Sequence, residues 1–210
     1  GIIFTLKTNL INYLAHAYLS FGHPGILAGN MISDFVKGKK KFDYPADIQQ
    51  GITLHRLIDV FTDEHEATRR AKEVFRPAYR LYSGAFVDVV YDHFLATDPG
   101  EFPEDSLLDF SQRVYAQLDA HQHWMPDRFA AMYPYMKEQN WLYHYRTLAG
   151  AGKSLGGLVR RAAYLTESDT ARHLFEQHYQ LLGDCYRHFW ADLRPFAKQQ
   201  FDALQNLPGL

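Results

Sequence analysis

The chain has a single cysteine, Cys185, in 210 residues, so no internal disulfide can form and a reducing compartment, the cytoplasm, is expected. It has no run approaching the roughly 18 apolar residues that span a bilayer. Nor is there an excess of charge of one sign. Lys plus Arg number 22 against 24 Asp plus Glu, a formal net charge of -2, which excludes the global basic field of a nucleic-acid binder. Strand signals are almost missing: Ile2 to Leu6 is the one β-like run. The opening Gly1 to Lys7 lacks the apolar core and cleavage site of a signal peptide. Residues 1–11 are therefore expected to be an N-terminal extension, from a tag or a misassigned start, with one domain over 12–205.

What the chain does have is apolar content, 47%, enough for a sizeable core. The apolar residues recur at helical spacing, so the expected fold is all-α, a single multi-helix domain. Helices are predicted from Asn12 to Ser20, from Pro24 towards Lys37 and from Pro45 past Phe61. Others are expected at about 64–82, 84–97, 104–124, 126–136, 138–148 and 154–166, and a last one from Ser168 beyond Ala191, which Pro195 should end or kink.

Polar groups interrupt the apolar stripes. His55, Asp59 and Asp63 stand at i, i+4 and i+8, within about 80° of one another on one helical face. That face borders Ile52, Leu57 and Ile58, so His55 and Asp59 should point inward, where an unpaired carboxylate is costly. Asp88 and Asp92 are like charges at i, i+4 among apolar neighbours. His16 and Asp34 each lie inside an apolar helical segment of their own. Taken singly, a core histidine or a surface ion pair accounts for each of these residues. Taken together, His and carboxylates on several helices suggest a site for a divalent ion such as Mn²⁺, Fe²⁺ or Mg²⁺ rather than a cysteine-rich zinc site.

Other signals are set aside. Gly150-Ala151-Gly152-Lys153-Ser154 has Thr147 where a phosphate loop needs its first glycine, and no strand precedes it. The pairs His121/His123 and His173/His178 diverge on a helix, and Cys185 reads as a core thiol.

Four segments carry a resemblance: Asn12-Tyr13-Leu14-Ala15-His16, Gly29-Asn30-Met31-Ile32-Ser33-Asp34-Phe35-Val36, Gly51-Ile52-Thr53-Leu54-His55-Arg56-Leu57-Ile58-Asp59 and Tyr91-Asp92-His93-Phe94-Leu95. In this order they resemble the acyl carrier protein phosphodiesterase family, also called acyl carrier protein hydrolase. The resemblance implies removal of the 4′-phosphopantetheine arm from holo acyl carrier protein, with Mn²⁺. It also implies a fold like a divergent HD-domain helical fold, although the adjacent pair here runs Asp92-His93 rather than His then Asp.

On this basis His55, Asp59, Asp92 and His93 are expected around the metal, with Asp34 a further ligand and His16 a weaker candidate. Asp63 or Asp88 is expected to orient a histidine or act as a base. Arg56 or Arg146 is expected to neutralise phosphoryl charge. The basic residues Arg69, Arg70, Lys72, Arg76 and Arg80, and the cluster Lys37, Lys39, Lys40 and Lys41, are expected to steer an acidic carrier protein, with a solvated surface as the alternative. An HD-type nucleotide phosphohydrolase and a non-catalytic helical interaction module remain open. No nucleic acid or membrane partner is expected, and the oligomeric state is not specified.

Overall fold

Local sequence accounts for where most helices begin and end. In the computed structural model, which describes residues 12–161 and 168–206, the elements in order are α1 (Tyr13–Tyr18), α2 (Pro24–Ile32), α3 (Ala46–Glu64), α4 (Glu66–Tyr79), α5 (Ser83–Ala96) and α6 (Ser106–Asp119), then α7 (Asp127–Glu138), α8 (Trp141–His144), α9 (Leu148–Arg161), α10 (Ser168–Gln177) and α11 (Tyr179–Gln205). Short 3-10 turns follow α2, α4 and α6, at Ser33–Phe35 and Gly38–Asp43, Arg80–Tyr82 and Gln122–Trp124. No strand occurs among the described residues, in agreement with the all-α expectation. The expected N-terminal extension, the β-like run and the end of the 154–166 helix lie outside the described residues.

Three expectations need correction. The single helix expected from Ser168 beyond Ala191 is two, α10 and α11, parted at His178. The helix predicted over 138–148 is broken, because Asn140 adopts a left-handed conformation (φ 44°) that asparagine tolerates; only the single turn α8 follows. Pro195 does not end the last helix, which runs on from Tyr179 to Gln205. Its ring forfeits one backbone bond, offset by burial of Phe189, Leu193 and Ala197 on the inner face.

The core centres on α5, which buries Phe86, Val87, Val89, Val90, Tyr91 and Leu95 almost completely. Helix α4 stacks Phe75 and Tyr79 on Phe86, with ring centroids 5.5 and 4.2 Å apart. From α11, Phe189 stacks on Tyr91 at 4.7 Å. Each fully buried Phe or Leu of this kind contributes about 1.5–3 kcal/mol.

Among the described residues α2 packs most extensively on α3, and glycine makes the close crossing possible. A Cβ on Gly29 would lie 2.1 Å from the Ile48 carbonyl, and one on Gly51 would lie 2.2 Å from the Ile26 carbonyl. Those are backbone atoms that cannot swing aside. With no side chain at either position the two backbones touch, and residues one position along, Asn30 and Ile52, become near neighbours across the crossing. No helix among the described residues is long and apolar enough to cross a membrane.

Candidate metal centre

The α2–α3 crossing determines the geometry of a polar cluster. His55 on α3 is buried, and its Nδ1 lies 2.7 Å from the backbone carbonyl of Asn30. His16 on α1 is fully buried, and its Nδ1 lies 2.6 Å from the side-chain Oδ1 of the same Asn30. Carbonyl oxygens only accept, so each imidazole carries its proton on Nδ1 and donates it. Asn30 is itself held, its amide nitrogen donating to the His16 carbonyl at 3.0 Å and to Ser20 Oγ at 3.1 Å. Both Nε2 atoms are thereby turned to the opposite side.

On that side are carboxylates. Asp59 presents Oδ1 at 3.2 Å to His16 Nε2 and Oδ2 at 3.2 Å to His55 Nε2, and Asp34 Oδ1 lies 3.3 Å from His55 Nε2. None of these contacts has hydrogen-bond geometry, and both buried Nε2 atoms are left without a hydrogen-bond partner. Two imidazole lone pairs and carboxylate oxygens converging in this way repel unless a cation lies between them. His16, His55 and Asp59 have ligand atoms all within 4.8 Å of one another, with Asp34 beside them, and a nitrogen–oxygen donor set of this kind suits a divalent metal. The residues fit such an ion.

The electrostatics agree. Burial disfavours a charged His55, yet the adjacent Asp59 and Asp34 carboxylates raise its pKa to about 10. Burial, and then His55, push His16 down, against the pull of Asp59 and Asp34. Burial opposes ionisation of Asp59, but His55 and His16 hold it well below the usual carboxylate range. The cluster has a strong demand for positive charge, which either a proton on His55 Nε2 or a bound cation supplies. Asp59 is also 43% exposed, which leaves the centre open to solvent on one side.

The other expected residues are distributed differently. Asp92 and His93 are not brought to this cluster. The two oxygens of Asp92 accept from the Leu14 and Ala15 amides at 2.9 and 2.8 Å, fastening the start of the helix that carries His16. The Nδ1 of His93 donates to the Tyr145 carbonyl and its Nε2 takes the Tyr179 hydroxyl, both at 2.8 Å, so neither nitrogen is spare. They interrupt an apolar helix because they tie helices together.

Asp88 is half-buried. Burial, with the like charges of Asp59, Asp63 and Asp92, raises its carboxyl well above the ordinary range, while Lys72 opposes the shift. Lys72 Nζ is 2.9 Å from Asp63 Oδ1, and its chain passes over Gly84, where a Cβ would sit 3.3 Å from Lys72 Cε. Lys72 thus lies among acidic groups beside the centre, unlike the exposed Arg69, Arg70, Arg76 and Arg80. Arg76 pairs with Glu73, and Arg69 donates to the Glu64 carbonyl. Arg56 donates to the Val36 carbonyl at 2.9 Å, latching the turn that carries Asp34 onto α3. Arg146 is exposed and lies over the Tyr143 ring, 4.2 Å from its centroid. Lys37, Lys39 and Lys40 are exposed and Lys41 partly so, in the 3-10 segment just after that turn.

Asn30, which sets both tautomers, was not expected as a site residue. An asparagine beside Gly29, inside the otherwise apolar run from Ile26 to Ile32, is the sequence signal that could have found it.

A family model described as acyl carrier protein phosphodiesterase matches residues 11–193. The chain belongs to the acyl carrier protein phosphodiesterase family. Curated relatives bearing that name agree. The protein from Photorhabdus laumondii is 34% identical over 170 residues, 80% of this chain and 86% of the relative. That from Yersinia pestis is 34% identical over 181 residues, covering 86% and 94%. One from Enterobacter sp. is 31% identical over 191 residues, covering 90% and 99%. No solved structure matches the chain significantly.

Proposed function

We propose that the protein hydrolyses the phosphodiester joining 4′-phosphopantetheine to a serine of holo acyl carrier protein, giving the apo form, in the cytoplasm. Membership of the family supports the substrate. The pair of buried, partnerless His16 and His55 Nε2 atoms facing Asp59 carries the mechanism. His16, His55, Asp59 and Asp34 would hold a divalent ion, Mn²⁺ by family resemblance with Fe²⁺ or Mg²⁺ as alternatives.

When bound, such an ion supplies a hydroxide from water near neutral pH and polarises a phosphoryl oxygen. Asn30 keeps both imidazoles in the tautomer that offers Nε2. Asp88, half-buried and electrostatically coupled to Asp59, is the carboxyl assigned to proton transfer with the reacting groups. Lys72, oriented by Asp63, and Arg56 offer positive charge to the phosphoryl oxygens. Asp92 holds α1 against α5, and His93 ties α5 to Tyr145 and to Tyr179 of α11. The exposed Arg69, Arg70, Arg76 and Arg80, with Lys37, Lys39, Lys40 and Lys41, attract the acidic carrier protein.

The test is a gel-shift assay of holo carrier protein beside a nucleotide hydrolysis assay, with metal-stripped and metal-restored enzyme. Conversion of the holo to the apo form that needs metal and is lost in Asp59→Asn supports the proposal. Nucleotide hydrolysis without carrier conversion points to an HD-type nucleotide phosphohydrolase, and neither activity points to an interaction module.

A further inference from the structure

A second group of imidazoles and carboxylates lies where α3 gives way to α4 and meets α11, and it shares no residue with the centre above. His65 links the two helices. Its side chain is only 9% exposed and its ring rests against Phe61 and Phe189, with centroids 5.6 and 5.4 Å away, so its orientation is fixed by packing. Its Nε2 lies 3.0 Å from Asp192 Oδ2 on α11. One turn before Asp192 is His188, which shares its helical face. His188 Nε2 approaches two carboxylates, Glu66 Oε1 at 3.4 Å and Asp192 Oδ2 at 4.0 Å, without a hydrogen bond to either. The ligand atoms of His65, His188 and Asp192 lie within 4.8 Å of one another.

We propose that His65, His188 and Asp192 form a second site for one divalent transition-metal ion of the zinc class, with Glu66 adding negative charge beside His188. Bonds of about 2.0–2.2 Å in a tetrahedron place ligand atoms about 3.3–3.6 Å apart. The separations of 3.0 and 4.0 Å from Asp192 Oδ2 to His65 and His188 Nε2 bracket that spacing. Two imidazoles and one carboxylate leave a fourth position for water, and imidazole nitrogen favours zinc, nickel or copper over magnesium. His188 and Asp192 are each about half exposed, so the ion can enter from solvent. Once bound, it clips the α3–α4 junction to α11.

Entry of the ion has a defined proton balance. In the ion-free state His65 Nδ1 accepts the Ala67 amide at 3.1 Å, so the ring proton is on Nε2, directed at Asp192. Bonding of Nε2 to the metal releases that proton, and Nδ1 takes one up to keep the ring neutral. The Ala67 amide then loses its acceptor. Metal binding at this site therefore has a spectroscopic signature that binding at the first centre lacks.

The experiment is a calorimetric Zn²⁺ titration of the metal-stripped full chain as wild type, His188→Ala, Asp59→Asn and the double variant. Two ions are expected in the wild type, one in each single variant and none in the double, with the Ala67 amide resonance moving on zinc addition only where His188 is present. Zinc stoichiometry and affinity unchanged in both His188→Ala and Asp192→Asn would overturn the proposal, whatever Asp59→Asn does, and leave only ordinary ion pairs. Loss of one ion in His188→Ala but none in Asp59→Asn would support this site and count against the first centre instead. His188 and Asp192 are both exposed, so their replacement leaves the core intact, and the far-ultraviolet spectrum of the helices checks it.

Discussion

The imidazoles of His16 and His55 lie nearly parallel, their centroids 3.9 Å apart and their planes 15° apart, and both turn Nε2 to the carboxylate of Asp59. The two residues come from α1 and α3. Asn30, on the helix between them, accepts the Nδ1 protons of both and so keeps both lone pairs facing one way.

Replacing Asn30 should therefore weaken the centre without removing a ligand. Asn30→Ala is expected to lower divalent-metal affinity by about 10–100-fold, and Asp59→Asn to abolish binding there. Mn²⁺ titration followed by paramagnetic resonance measures both. The backbone carbonyl that holds His55 survives this substitution, so equal affinity in Asn30→Ala and wild type would remove the side chain's role in setting the His16 tautomer.

The glycine crossing makes a separate demand. Gly29→Ala forces a methyl group to 2.1 Å from the Ile48 carbonyl, so α2 and α3 must part. The expected cost is about 1–3 kcal/mol in denaturant unfolding, and metal affinity should fall with it. A stability change confined to a few tenths of a kcal/mol would show that the crossing yields easily.

Asp92 is expected to act through α1 rather than as a ligand. Asp92→Ala leaves the Leu14 and Ala15 amides buried without acceptors, a loss of about 1–3 kcal/mol of stability. At saturating metal the variant should still fill the His16–His55–Asp59 centre. Loss of that ion in a variant that remains folded would return Asp92 to the ligand set.

His93 should leave a pH signature on stability. Burial lowers its pKa from the ordinary 6.5, and the Tyr145 carbonyl only partly opposes that. Below 6.5 the unfolded chain takes up a proton that the folded chain refuses, so the stabilisation is complete above that pH and is lost as pH falls. Urea midpoints measured from pH 7.5 down to 5 should decline more steeply in wild type than in His93→Gln. Parallel declines would mean that His93 protonates freely in the fold.

Docking and chemistry should separate kinetically. Charge reversal at Arg69 and Arg70 is expected to raise KM for carrier protein with little change in kcat, and added salt should do the same. Lys72→Met is expected to lower kcat by ~10²-fold, because Lys72 lies beside the acidic groups of the centre. A pure KM effect at Lys72 would return it to the docking surface.

The helical class, most helix boundaries and the inward pull of His55 and Asp59 were legible in the sequence by itself. All of these follow from spacing along one helix, which periodicity reports directly. The partners of each polar group were not, because they come from different helices. Asp92-His93 has the look of a ligand pair among apolar neighbours, yet tertiary structure commits it to the Leu14 and Ala15 amides and to Tyr145 and Tyr179. His16, a weaker candidate on spacing, becomes central because Gly29 and Gly51 let two backbones touch and bring Asn30 within reach of the Nδ1 atoms of both rings. A buried polar side chain reveals in sequence only that it needs a partner. Which partner it finds is decided by how closely the helices approach.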